Sequence, residues 1–268
     1  MMPTREQAEL WAAVIARELT DGDHCFIGLG TGGPAFVRAV GVPAVACELA
    51  RLVHGRDVTV QYGVLFEPVA REVPYSFADA HLLRWRARAH VDVDFCLDTF
   101  RSGRMSVGFT SGVQIDREGN VNAVRIGSAE RPKVRLTGPI AQTDHACFAR
   151  RMICTMPHER RAFVERVDYV SAVGFPGGRE GRRALGLPGG GPALVVSDLA
   201  VMDFDERGLM RLRSLHPGVT PADVRQATGF ELVLPDDVPE TEPPTPEERA
   251  AMRDAIDPEG RLLEARVR

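Results

Sequence analysis

The sequence has few cysteines, no long apolar run and no excess of one charge. Its five cysteines form no CxxC pair, their number is odd, and the sequence shows no signal segment with basic residues followed by apolar ones. We therefore expect the protein to reside in the reducing cytoplasm. No apolar stretch approaches the ~18 to 20 residues that cross a bilayer, and we expect no membrane-spanning segment. The 33 Lys and Arg residues are interleaved with 37 Asp and Glu residues. Without a basic field, nucleic acid is not an expected partner.

Patterns for metals and dinucleotides are missing as well. His24 adjoins Cys25 and His145 lies near Cys147, but neither pair has zinc spacing or a matching second pair. The glycine run over residues 28–33 lacks the full spacing of a dinucleotide fingerprint, and no acidic residue ends a following strand at the right distance. We therefore predict no metal and no cofactor.

What is present is the composition of a soluble globular protein, with 268 residues, 44% hydrophobic and 26% charged. Helical spacing of apolar residues runs from Arg5 to Leu19, and short apolar runs at Cys25–Leu29 and Val58–Tyr62 indicate buried strands. Helices are predicted between them, over Pro34–Val40 and Pro43–Leu52. This alternation predicts an α/β fold with an open, mostly parallel sheet flanked by helices.

The second half of the chain continues this pattern less regularly. We predict one α/β domain over residues 1–234, followed by an acidic, proline-rich strap and a C-terminal arm over 235–268 with a short helix, suited to packing on a partner. The remaining predictions are a helix over Phe95–Arg101, strands over Met105–Thr110, Tyr169–Val173 and Ala193–Val196, and a glycine-rich loop over Phe175–Gly191.

The glycines after the first predicted strand form a candidate anion site. Gly30, Thr31, Gly32 and Gly33 precede a predicted helix, and their backbone amides could cradle an anion at its N-terminus. A tight structural turn explains the same residues equally well. Both interpretations stay open.

A second polar turn follows the strand near residue 110. Amides in such a turn can stabilise an oxyanion, and the candidates here are Gly112, Val113, Gln114 and Asn120. An ordinary hairpin with Asx turns is the alternative, and composition alone favours it.

This turn is the first of several distinctive blocks. In chain order they are VQID…GNVN (113–122), KVRLTG (133–138), PHERR (157–161), VDYV (167–170), LGLPG (185–189), HPGVTPADVRQATGF (216–230) and IDP (256–258). Together they resemble the small, β-type subunit of glutaconate CoA-transferase, a family I CoA-transferase, over roughly Leu10 to Pro258. Several blocks in one order are more specific than a single motif. The resemblance implies the open α/β fold of that family, a larger α-type partner subunit, and acyl-CoA bound between them as substrate.

The resemblance also implies a nucleophile that this chain lacks. In the transferases of the family a glutamate two residues before a glycine attacks the acyl-CoA, giving an anhydride and then an enzyme-bound CoA thioester. The matching residues here are Gln61, Tyr62 and Gly63, and an amide is not a carboxylate nucleophile. Three explanations compete: a repurposed reaction, as in related hydrolases and decarboxylases; replacement by Glu67; or a local slip in the match. A subunit kept only as scaffold is a further alternative.

We therefore predict a CoA-thioester enzyme that hydrolyses, cleaves or decarboxylates the acyl-CoA of a dicarboxylic or keto acid. Gln61 would orient substrate or water, and Glu67 or a carboxylate of the partner would act as base. The thioester oxygen would lie near Gly112, pantetheine along residues 30–33, and a distal carboxylate near arginines of the 175–191 loop. A genuine CoA-transferase is the alternative.

The competing class is a scaffold or ligand-sensing protein, since effector domains of sugar-phosphate-responsive repressors resemble this fold. Such repressors carry an N-terminal helix-turn-helix. Here a single helix is predicted before the first strand, which favours the enzyme.

Overall fold

The computed structural model describes residues 2–28, 32–74, 80–139 and 141–264. The chain forms two compact units, unit 1 with residues 1–109 and 242–268, and unit 2 with residues 110–241.

The helices and strands follow one another as expected for an α/β chain. The first group comprises α1 (Arg5–Glu18), β1 (Asp23–Ile27), α2 (Gly33–Phe36), a π-helical turn (Val37–Gly41), α3 (Val42–Leu52), β2 (Val58–Tyr62), β3 (Leu65–Pro68), two 3₁₀ turns (Ala70–Glu72 and Ala80–Arg84), β4 (Ala87–His90), α4 (Val93–Arg101) and β5 (Val107–Ser111). The second comprises β6 (Gln114–Ile115), β7 (Val121–Asn122), β8 (Arg125–Gly127), β9 (Pro132–Arg135), α5 (Gln142–Phe148), β10 (Arg151–Met156), α6 (Gly178–Ala184), β11 (Pro192–Ser197), β12 (Ala200–Phe204), β13 (Met210–Leu215) and α7 (Pro221–Ala227). The last are α8 (Pro246–Ala250) and a π-helical turn (Ala251–Ile256).

Helix α1 begins at a capping box. The Thr4 hydroxyl accepts a hydrogen bond from the Gln7 amide, and the Gln7 side chain accepts one from the Thr4 amide, which satisfies donors that a helix start leaves open. Leu10, Trp11 and Ile15 are buried along one face. The predicted amphipathic helix is confirmed.

Unit 1 is built on a mixed sheet with the strand order β5-β1-β2-β3-β4. Strand β1 pairs in parallel with both β2 and β5, which confirms the predicted parallel arrangement, while β3 and β4 add antiparallel pairs that were not predicted. Neighbouring residues on a strand face opposite sides. Helix α4 covers the side of Phe26, whose ring lies 4.8 Å from that of Phe100, and α3 covers the other, where Cys47 interacts with Cys25.

Unit 2 is built on strands in the order β13-β12-β11-β10, parallel between β10 and β11 and antiparallel beyond. Phe163, Phe175 and Met202 lie in its core. The predicted strand at 193–196 is confirmed as β11.

Two predictions for unit 2 are wrong. Residues 169–173 form no strand: only Ala172 makes an isolated bridge, to Val121, while Tyr169 and Val170 are exposed. The glycine-rich loop contains helix α6, which starts after Gly177 in a left-handed conformation. The apolar residues near 170 predicted a buried strand but are exposed on a loop. The glycines before α6 predicted a loop but lie at the start of a helix.

The C-terminal segment joins unit 1, a division that differs from the predicted boundary at residue 234. The Glu248 side chain, 2% exposed, accepts hydrogen bonds from Arg17 and lies 2.9 Å from His54 Nε2. The carbonyl of Leu262 lies where a Cβ on Gly41 would stand. The arm therefore packs on its own chain, through buried polar contacts that composition does not reveal.

Within the described ranges, no helix combines the length and the apolar character needed to cross a membrane.

Candidate active site

Gln61 is enclosed in unit 1 at the end of β2. Its side chain is 0% exposed, and its amide nitrogen donates to the carbonyl of Gly63 at 2.9 Å. The Thr99 hydroxyl of α4 lies 3.5 Å from the Gln61 amide oxygen, but its shorter hydrogen bond, 2.6 Å, goes to the Cys96 carbonyl. Thr99 is therefore a weak partner for the amide oxygen of Gln61, and His24 is the other polar group beside it.

His24 lies beside Gln61, a proximity that sequence reasoning missed. In the parallel register His24 pairs with Thr59, two residues before Gln61 and on the same face. Burial lowers the pKa of His24, opposed by its hydrogen bond with Gln61 and by the charge of Glu67. Its Nε2 is buried without a hydrogen-bond partner in the described chain. Buried polar atoms without partners are uncommon and suggest a site that a substrate completes.

Glu67, the proposed replacement base, is held by its neighbours. Both of its carboxylate oxygens lie 2.7 Å from Nη2 of Arg51, and one also accepts a 2.5 Å hydrogen bond from the Val60 amide. Its φ of 49° is the one positive value of a non-glycine residue in the described chain. The Glu67 carboxylate thus accepts the hydrogen bond of a β2 backbone amide at a point where the pairing of β2 with β3 is irregular. A carboxylate held in this way is not available as a free base.

The glycine turn is described only in part. Gly30 and Thr31 lie outside the described residues, so their predicted role is not tested. Gly32 and Gly33 have φ values of 105° and 60° at the start of α2. Glycine adopts these φ values without steric cost. The backbone conformation of the turn therefore explains the two glycines without any bound ligand. Pantetheine binding at this turn stays a prediction.

In unit 2 the predicted oxyanion residues lie together in the β6–β7 hairpin, where most of their donors are already used. The Val113 amide donates to the Asn122 carbonyl at 2.9 Å. The Gln114 side chain accepts from Asn122 Nδ2 at 2.7 Å and from the Asp168 amide at 3.0 Å, and it donates to the Asp168 carboxylate at 3.2 Å. Asn120 Nδ2 donates to both oxygens of Asp116.

Gly112 differs from these three. A Cβ at this position would stand 2.4 Å from Val121 Cγ1 and 2.8 Å from the Asn122 carbonyl oxygen, so close packing requires glycine. This close packing explains the glycine without an oxyanion role, which stays a prediction for Gly112 and for the hairpin as a whole.

Asp116 holds the turn of the same hairpin. Its carboxylate accepts hydrogen bonds from the amides of Glu118 and Asn120 and from the Asn120 side chain. Burial raises the pKa of Asp116 to about 6, although the hydrogen bonds from Asn120 lower it. Ionisation of Asp116 therefore costs free energy in the folded chain, and the stability of the hairpin depends on whether this carboxyl is protonated.

The arginines of the 175–191 loop contact backbone carbonyls of unit 2. Arg182, 3% exposed, donates to the carbonyls of Gly189, Val173, Gly174 and Ala146. Arg179 donates to the carbonyls of Phe204 and Asp205. Arg183 is exposed. Binding of a distal carboxylate by Arg179 or Arg182 would break these contacts, because both guanidinium groups already bind unit 2.

Comparison with known proteins decides the family. The sequence model of the Coenzyme A transferase family matches residues 8–227. The chain belongs to the coenzyme A transferase family. Within that family it is 33% identical over 260 residues to the B-type subunit of glutaconate CoA-transferase from Acidaminococcus fermentans, covering 93% of this chain and 92% of that one.

Two further relatives differ in reaction. The chain is 32% identical over 250 residues to the B-type subunit of 3-oxoadipate CoA-transferase from Pseudomonas knackmussii, covering 91% of each. It is 28% identical over 254 residues to the IpdB subunit of a cholesterol ring-cleaving hydrolase of Rhodococcus jostii, covering 90% of this chain and 94% of that one. The family thus includes both transfer and hydrolysis.

The fold agrees with this assignment. The crystal structure of glutaconate coenzyme A-transferase from Acidaminococcus fermentans superposes with a TM-score of 0.82 at 31% identity, covering 98% of both chains. The predicted fold, an open and mostly parallel sheet flanked by helices, is confirmed, although the sheet is mixed because it also contains antiparallel pairs.

Proposed function

We propose that this chain is the smaller subunit of a heteromeric enzyme that acts on the acyl-CoA thioester of a dicarboxylic or keto acid. The reaction is hydrolysis, C–C cleavage or decarboxylation, without a glutamyl–CoA intermediate on this subunit. A larger α-type subunit supplies the missing acid or base. CoA takes part as substrate, and no further cofactor is required.

One observation carries this proposal: the end of β2 presents a buried amide at Gln61, while the nearby carboxylate of Glu67 is bound to Arg51 and to a strand amide. The anhydride-forming step of CoA transfer needs a free carboxylate on the enzyme, and an amide, whose nitrogen lone pair is delocalised, does not supply one. His24 and Gln61 can instead orient a substrate oxygen or a water molecule.

A second candidate is a genuine CoA-transferase. It is favoured by the two transferase subunits that match this chain at 32% and 33% identity over at least 91% of its length. In that case the carboxylate that receives the acyl group comes from the partner subunit, because the described chain has none free at the end of β2.

We place the enzyme in the reducing cytoplasm. All five cysteines are free thiols, and four of them are buried. Cys25 and Cys47 lie close enough to interact and are nevertheless both free, as expected in a compartment that keeps thiols reduced.

The test is to co-express this chain with its larger subunit and to follow CoA-thioester products by mass spectrometry, with and without acetate. The native enzyme is compared with Gln61→Glu, which restores a carboxylate, and with Gln61→Ala, which removes the amide without adding an acid. We expect free CoA or a shortened acyl-CoA from the native enzyme. We expect transfer to acetate, or a trapped enzyme-bound thioester, only from Gln61→Glu.

Each variant separates one alternative from the proposal. Formation of acetyl-CoA by the native enzyme, retained in Gln61→Ala, would establish the transferase and remove the emphasis on Gln61. An assembled native complex that converts no acyl-CoA at all, and is unaffected by either change, would leave a scaffold or an acyl-CoA sensor as the remaining interpretation.

A further inference from the structure

The two-stranded ribbon β8–β9 carries an excess of positive charge. Arg125 and Arg135 lie directly opposite each other in its register. Lys133 is the extra residue at the irregularity between the Ile126 and Gly127 pairs. Within the described chain none of these three cations forms an ion pair, and over residues 125–135 four basic side chains face one carboxylate, Glu130. Like charges directly opposite each other destabilise a strand pair.

Elsewhere in unit 2 a cross-strand arginine is neutralised. Arg211 of β13 lies opposite Asp203 of β12, and the two side chains form a 2.8 Å ion pair. The ribbon thus departs from the usual arrangement in the same unit. Its repulsion is relieved when an anion lies between the two arginines.

An exposed aromatic ring lies next to these cations. Tyr169 is 42% exposed, and the Arg125 guanidinium carbon lies 5.4 Å from its ring centroid. The loop that carries Tyr169 is fixed to the ribbon, because the Gly127 amide donates to the Asp168 carboxylate at 2.9 Å. The site therefore combines the cations of the ribbon with a flat surface for stacking.

The ribbon starts at the candidate oxyanion hairpin. The Asn122 side chain donates to the Arg125 carbonyl at 2.6 Å, and Gln114 donates to Asp168. Strand β9 of four residues extends over about 13 Å, at ~3.3 Å per residue. A ligand with its reactive end near Gly112 would extend along the ribbon if it carried a long arm ending in phosphates.

We propose that Arg125, Lys133, Arg135 and Tyr169 bind the phosphorylated nucleotide end of coenzyme A. The inference rests on the proposed function, since it assigns a position to the far end of the same substrate. Arg125 and Arg135 contact the phosphate groups through charge-assisted hydrogen bonds, Lys133 adds a point charge, and the adenine ring stacks on Tyr169.

The experiment uses the assembled enzyme with Lys133→Gln, Arg135→Gln and the double variant. The matched control is Arg225→Gln, which removes one charge from an exposed arginine of α7 in the same unit. Three substrates with the same acyl group are compared, namely acyl-CoA, acyl-dephospho-CoA and acyl-pantetheine. Titration calorimetry with adenosine 3′,5′-bisphosphate gives a readout that is independent of turnover, and thermal melting checks the fold.

We expect KM for acyl-CoA to rise about ten-fold for each cation removed, as the loss of a charge-assisted contact implies, with kcat unchanged. The control, and every variant with acyl-pantetheine, should match the native enzyme. Affinity for the bisphosphate should fall in parallel.

The outcomes separate this inference from the proposed function. If acyl-CoA is converted with the same KM by the native enzyme and the ribbon variants, the nucleotide site is wrong and the proposed function stands. If acyl-CoA is not converted but the bisphosphate binds in a ribbon-dependent way, the site stands and the function fails. Equal loss with acyl-pantetheine would show that the ribbon acts through folding or assembly, which also overturns the inference.

Discussion

The β6–β7 hairpin and the turn after β2 differ in how completely their polar groups are satisfied. In the hairpin, Gln114 and Asn120 use both ends of their amides in hydrogen bonds within unit 2. After β2, the Gln61 oxygen has a long contact with Thr99 and an interaction with His24, and the His24 Nε2 is buried without a partner in the described chain. A closed network fixes a backbone, whereas open groups are available to a ligand. The hairpin is thus the rigid frame, and the turn after β2 holds the open groups to which our proposal assigns the reactive role.

The largest expected effect comes from a substitution that disrupts the packing of the β6–β7 hairpin. Gly112→Ala places a Cβ 2.4 Å from Val121 Cγ1, and we expect a loss of about 3 kcal/mol in the free energy of unfolding, measured by urea denaturation. The control is Gly138→Ala, which meets no atom within 4 Å but keeps a φ of 86°. Its cost should be about 1 kcal/mol. Equal costs would mean that the hairpin yields and is not a rigid frame.

The second prediction concerns Glu67. Glu67→Ala removes the contacts to Arg51 and Val60 and keeps the strained backbone, and we expect it to lower the free energy of unfolding by about 2 kcal/mol. Glu67→Gly loses the same contacts but relieves the left-handed backbone, so it should cost about 1 kcal/mol less. Turnover at saturating substrate should persist in both. Abolished turnover in two well-folded variants would make Glu67 the base.

The third prediction is that Asp116 in the hairpin makes the free energy of unfolding depend on pH. Because burial raises the pKa of Asp116 from 3.8 to about 6, the folded chain retains this proton at pH values where the unfolded chain has lost it. Its contribution to stability is therefore full below about pH 4 and is lost as the pH rises through 6. Asp116→Asn does not titrate.

Urea denaturation at several pH values measures this effect. From about pH 4 to pH 7 the native chain should lose on the order of 2 kcal/mol relative to Asp116→Asn. Burial lowers the pKa of His158 to about 3, which gives the opposite trend, but it does so in both proteins and cancels in the difference. A difference that is constant with pH would contradict the assignment to Asp116.

The smallest expected effect on stability lies at His24. His24→Phe keeps the edge contact with Phe66, at 5.1 Å between ring centroids. It removes the Nε2 atom that has no partner in the described chain, and with it the interaction of the imidazole with Gln61. We expect a change of less than about 1 kcal/mol in unfolding free energy but a clear loss of kcat. Unchanged kcat would show that the open nitrogen has no function and would remove the contrast between the two regions.

Elements with strong periodicity were predictable from the sequence. The helix at 5–18 and the strand at 58–62 follow directly from their apolar spacing, and the blocks of family resemblance identified the fold. The antiparallel strands β3 and β4 were missed, because short strands interrupted by charged residues give a weak signal.

The candidate site was predictable only as a set of residues. Gln61 and the hairpin were recognised, but the hydrogen bonds of Gln114 involve Asp168, which lies 54 residues away in the chain. Likewise the neighbourhood of His24 and Gln61 depends on strand register across the β1–β2 connection. Such long-range side-chain contacts leave no local pattern in a single sequence.

The packing of Glu248 and Leu262 on unit 1 has a consequence for synthesis on the ribosome. Unit 1 contains residues from both sides of unit 2 in the sequence, so residues 110–241 are translated before the segment that completes it. When unit 2 has been translated, unit 1 still lacks Glu248, the buried partner of Arg17, and Leu262, whose backbone packs against Gly41. Unit 2 can therefore fold before unit 1 is complete. Unit 2, which begins later in the sequence, is thus the first unit whose whole chain is available for folding during translation.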